Sequence, residues 1–172
     1  MPNAELAQVS GTRGPGRGAD DKELTRARNS AYRYLSIRPR SRLEVEKKLH
    51  DREFPPDIVR SVIDHLTRLG YLDDGKFSSQ WVSNRIRLRG FGRRRIEQEL
   101  RTKGISRELI KETLDGVFEG SSEIDTARRE AEKKLKTLAR FEPEVRRRRL
   151  AGHLERKGFP SGVIHTILRS IR

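Results

Sequence analysis

The 172-residue chain contains no cysteine, which removes a disulfide framework, a thiolate metal site and a cysteine nucleophile together. Aromatic residues make up 6% and hydrophobic residues only 33%, against 37% charged. One large core is therefore out of reach, and small helical modules with long charged faces fit better. No apolar run approaches the roughly 18 residues that span a bilayer, and the N-terminus lacks the apolar centre of a signal peptide. A cytoplasmic protein without a membrane partner is expected.

Groupings that do chemistry are scarce as well. The four histidines, His50, His65, His153 and His165, fall in different expected helices with no metal-ligand spacing, and read as solvated helix-face residues. Asp73-Asp74 reads as a helix cap rather than an ion site. Gly90-Phe91-Gly92 lacks the preceding strand, the lysine and the serine or threonine of a phosphate loop. No catalytic residue, metal site or cofactor is expected, and the chain is not read as an enzyme.

What is present in excess is positive charge: 39 Lys plus Arg against 25 Asp plus Glu, a formal +14. Such a balance calls for a polyanion or an acidic protein surface as partner. Residues 1–24, rich in glycine and poor in apolar side chains, read as a disordered tail. They hold three basic and four acidic residues, so the positive field belongs to the rest of the chain.

From Lys22 the pattern is helical through Leu24, Ala27, Ala31, Tyr34 and Leu35 until Pro39. Ser41-Arg42-Leu43-Glu44 has the form of a capping box opening a second helix. Pro55-Pro56 opens a third, with Ile58, Val59, Val62, Ile63 and Leu66 as its apolar stripe. In residues 70–105, Asp73 or Asp74 caps a helix carrying Phe77, Trp81 and Ile86 at spacings of four and five. Gly90 to Gly92 then turn the chain, and a further helix carries Ile96 and Leu100 before Gly104 stops it. Phe77 and Trp81 are expected in the core.

The same order recurs three times. With Leu49, Leu100 and Leu154 as anchors, Val45, Ile96 and Leu150 stand four residues before, and Phe54, Ile105 and Phe159 five after. Ile63, Leu114 and Leu168 stand fourteen after; thirteen after, Thr113 interrupts the match of Val62 with Ile167. The chain is thus read as all-α, an elongated tandem array of three three-helix, helix-turn-helix-like repeats, nine helices in all. The boundaries expected are residues 25–70, 71–120 and 121–172.

Basic residues are concentrated: nine against two acids in residues 81–107, and twelve against five in residues 128–157. On the helix of Ile96 and Leu100, Arg94, Gln98 and Arg101 lie opposite the apolar pair. Arg148 and Arg149 hold in the third repeat the places of Arg94 and Arg95 in the second. Together with Arg85, Arg89 and Arg95 these form the candidate partner-binding or nucleic-acid-binding set. Arginine is also simply a good helix former that solubilises an outer face, but interspersed acids would do so at lower net charge. Guanidinium groups suit phosphates and carboxylates alike.

Gly70-Tyr71-Leu72-Asp73-Asp74, Phe77, Trp81-Val82, Arg85, Gly90, Arg95-Ile96, Glu99-Leu100 and Lys103-Gly104-Ile105 together resemble the central signature of the RecX regulatory proteins. Ala31, Tyr34-Leu35, Arg38, Arg40-Ser41, Leu43 and Leu49 look like that family's opening segment, and the resemblance spans about residues 25–172. It implies a structural role for Gly70, Tyr71, Asp73, Asp74, Phe77, Trp81, Gly90, Ile96, Leu100 and Gly104. It also implies a monomer that lodges in the groove of a RecA–DNA filament and restrains its growth, ATP hydrolysis and strand exchange in recombination, repair and the SOS response. A direct DNA-binding protein of helix-turn-helix type is the alternative, although only Gln98 is placed as a base-reading side chain.

Overall fold

The computed structural model describes residues 17–119 and 122–171. Among them there are nine α-helices and no strand. Helices α1 (Arg17–Leu35), α2 (Arg42–His50) and α3 (Pro56–Arg68) form the first unit. The second is α4 (Asp74–Asn84), a π-helical turn (Arg85–Arg89), α5 (Arg93–Thr102) and α6 (Arg107–Val117). The third comprises α7 (Ser122–Leu138), α8 (Pro143–Lys157) and α9 (Ser161–Ser170).

Local chemistry explains most of the helix ends. Ser41 makes the full capping box with Glu44, Asp73 accepts from Lys76 N at 2.9 Å, and Ser106 accepts from Leu109 N at 3.3 Å. Pro56 and Pro143 each open a helix, where the missing N–H costs nothing. The spacing of five from Trp81 to Ile86 finds its reason in the π-helical turn, whose extra residue keeps Ile86 on the core side.

Each unit has its own core. Val45, Leu49 and Phe54 are buried in the first, Ile96, Leu100 and Ile105 in the second, and Leu150, Leu154 and Phe159 in the third. The equivalent positions read from the repeat are therefore equivalent in packing, and Thr113, which breaks the pattern, is only half-buried. Phe77 is 5% exposed, whereas Trp81 is half-buried.

Three expectations need correction. Helix α1 begins at Arg17, so residues 17–24 are helical rather than tail, and Leu24 packs on the first core; residues 1–16 lie outside the described residues. Leu72 is buried in the first core and the Tyr71 ring meets Tyr32 edge-on at 5.4 Å, so the first unit extends past residue 70. The histidines are not all solvated. His65 shares a hydrogen bond with the Tyr32 hydroxyl at 3.3 Å, and burial, with Lys157 and Lys134 nearby, lowers the pKa of His153.

Candidate partner-binding face and the junctions beneath it

The cores do not merge; polar contacts join them, and the two junctions repeat one another. Ser41 and Gly92 occupy equivalent positions, as do Lys103 and Lys157. Ser41 Oγ donates to the Lys103 carbonyl at 2.7 Å, and Gly92 N donates to the Lys157 carbonyl at 2.8 Å. One residue on, Arg42 N donates to Asp74 at 2.9 Å and Arg93 N donates to Glu123 at 2.9 Å. The second and third units thus each supply a carboxylate and a carbonyl to the opening turn of the preceding unit's second helix, whose free N–H groups need acceptors. Burial raises the pKa of Asp74 and of Glu123, although the N–H each receives opposes this.

Glycine makes the approach possible. Gly104 and Gly158 end their helices with φ of 78° and 86°, where L side chains are strained. A Cβ on Gly104 would lie 2.6 Å from Leu43 Cβ, and one on Gly158 would lie 2.5 Å from Arg95 N. At the same offset in the first unit stands Glu53, with φ 61°.

Charge joins the two units at the first junction, while the corresponding lysine of the second pairs within its own unit. Lys103 Nζ meets Glu44 at 2.6 Å and Arg38 meets the same carboxylate at 2.8 Å. Burial alone would raise the Glu44 pKa, but these two donors and the Ser41 N–H bring it down to about 2. Lys157 Nζ lies 3.0 Å from Glu130, whose side chain abuts Gly90.

The candidate set divides on this frame. Arg85 is taken up internally: it pairs with Glu99 and lies 3.9 Å over the Trp81 ring, whose Nε1 donates to the same carboxylate at 2.9 Å. Arg101 pairs with Glu97. Arg95 is exposed but donates to the Arg156 carbonyl at 3.0 Å and lies 4.1 Å over Phe91. Arg149 lies 3.9 Å over Phe141 in the matching place of the third unit. Arg89, Arg94, Gln98 and Arg148 are exposed and make no side-chain hydrogen bond or ion pair among the described residues.

Arg94, Arg95 and Gln98 converge with Thr102 and Arg156 on an open groove of about 440 Å³ between α5 and the end of α8. Arg148 and Arg149 stand on α8 at least one turn away from it. Arg156 was not among the candidate residues, and the local pattern of α8 carries no signal for it, because its groove is closed by α5 of the preceding unit.

Family models cover all three units: RecX first three-helix domain over residues 27–66, second over 73–114 and third over 121–168. The regulatory protein RecX of Thermobifida fusca is 33% identical over 156 residues, covering 90% of this chain and 84% of that protein. The chain belongs to the RecX family. That of Mycolicibacterium vanbaalenii is 37% identical over 144 residues, 80% of this chain and 78% of that protein. The crystal structure of RecX from Lactobacillus salivarius matches with a TM-score of 0.79 at 22% identity, over 88% of this chain and 97% of that one. A second RecX crystal structure matches with a TM-score of 0.77 at 26% identity, over 87% of this chain and 73% of that one. RecX proteins are regulators rather than enzymes, and no helix here is long and apolar enough to cross a membrane among the described residues.

Proposed function

We propose that this RecX-family chain, acting as a monomer, binds in the groove of the RecA–DNA filament and restrains RecA's ATP hydrolysis, filament extension and strand exchange. The observation that carries this reading is the pair of arginines, Arg94 and Arg148, at one register of two successive units, exposed and without an ion pair among the described residues. A filament presents DNA phosphates and protein carboxylates at regular intervals, so weak contacts from successive units add through effective concentration. Arg95 and Arg149, at the neighbouring register, each lie over a phenyl ring, at 4.1 Å and 3.9 Å.

The test is RecA's ATPase on single-stranded DNA with and without this protein at moderate salt, with binding to bare DNA as control. Inhibition at protein levels that leave bare DNA uncoated supports the reading. Inhibition accounted for wholly by coating of DNA would favour a direct DNA-binding protein.

A further inference from the structure

The turn that the second and third units offer to their predecessors has a counterpart in the first, and the two copies in the later units are occupied. In the second unit, the turn Lys103-Gly104-Ile105 receives the start of α2; in the third, Lys157-Gly158-Phe159 receives the start of α5. The matching turn of the first unit is Arg52-Glu53-Phe54. No unit precedes it among the described residues, and no donor reaches the Arg52 carbonyl there. Glu53 is exposed, as Gly104 is, while Gly158 is buried. An open depression of about 430 Å³ remains, lined by Arg26, Asn29, Arg33, Arg52, Glu53 and Phe54.

The occupied copies define what fits. Each takes the opening turn of a helix, whose first N–H groups or capping side chain meet the carbonyl at the turn. In the first junction that turn brings Glu44 to the cation preceding the glycine, Lys103. In the open copy the corresponding cation is Arg52, and Arg26 and Arg33 add two more charges against the single Glu53. A second copy of this chain is a poor occupant. The residue of its third unit that corresponds to Ser41 is Arg146, and α8 already runs from Pro143 there, so no helix start is presented at that register.

We infer that this end face is a docking socket for the first turn of a helix that carries a carboxylate on the filament's protein subunit. The inference rests on the RecA reading above and adds to it a contact made with protein rather than DNA, at the opposite end of the array from α8. The arginine row and the end socket would then hold the filament at two separated places, which multiplies their affinities.

Because the chain has no cysteine, Asn29→Cys gives one exposed thiol within the socket for a photo-crosslinker. Labelled protein is bound to RecA–single-stranded DNA filaments and illuminated. The expected adduct lies on RecA within one turn of a helix start bearing Asp or Glu. Arg26→Glu with Arg33→Glu should weaken filament co-sedimentation about tenfold while helicity is kept. Adducts confined to a second copy or to residues 1–16, or unaltered co-sedimentation of the double variant, would overturn the socket and leave RecA regulation standing. Failure of the unsubstituted chain to bind the filament would overturn both.

Discussion

Gly92 N donates to the Lys157 carbonyl across 2.8 Å, and a Cβ on Gly92 would lie 2.7 Å from the Gly158 carbonyl carbon and oxygen. The second junction therefore closes against the Gly158 backbone and the buried Phe159 ring, which the same Cβ would approach to 2.7 Å.

Gly92→Ala is expected to destabilise the protein by about 1–3 kcal/mol, the cost of forcing atoms into a filled space. Gly116→Ala, in α6 with nothing near its Cβ position, should instead stabilise by about 0.5–1 kcal/mol. Urea unfolding of both variants checks the pair. Equal effects would remove the special standing of the junction glycine.

Glu53 holds the left-handed backbone that glycine holds in the other two units. Relief of that strain predicts that Glu53→Gly raises stability by about 1 kcal/mol, read as an upward shift in thermal midpoint. A downward shift would mean that the Glu53 side chain makes a contact of its own.

The Glu44 carboxyl has its pKa lowered from 4.5 to about 2 in the folded chain. Its contribution is fully present above the unfolded value and is lost as pH falls through the folded one. Glu44→Gln should thus cost about 1–3 kcal/mol at pH 7, and the difference from the unsubstituted chain should shrink as acidity increases from pH 4.5 towards 2. Asp74 runs the other way. Its raised pKa means that ionisation weakens the fold as pH rises through the folded value, so Asp74→Asn, which keeps an acceptor for Arg42 N, should not destabilise at pH 7. Denaturant titrations at several pH values separate the two.

Arg85 and Arg94 belong to one candidate set in the sequence and differ in the fold. Arg94→Glu is expected to weaken inhibition of RecA's ATPase several-fold with unfolding unchanged, as for an exposed group outside any ion pair among the described residues. Arg85→Glu, facing Glu99 and the Trp81 ring, should cost about 1–3 kcal/mol of stability. ATPase assays beside thermal melts decide. A stable Arg85→Glu protein with lost inhibition would return that residue to the binding face.

The amino-acid order determined the helices, their caps and the threefold repeat, because these depend on spacings within a few residues and on apolar positions that recur by offset. It also determined the outward side of α5, since Ile96 and Leu100 fix which face is inward. Only the tertiary structure decided which charges are spent: Arg85, Glu44 and Asp74 meet partners on other helices, and no local pattern carries that distance. The chain records which residues are charged, while neutralisation depends on which helix ends are brought within about 3 Å of each other; the repeated junctions set that through backbone N–H groups and three glycines.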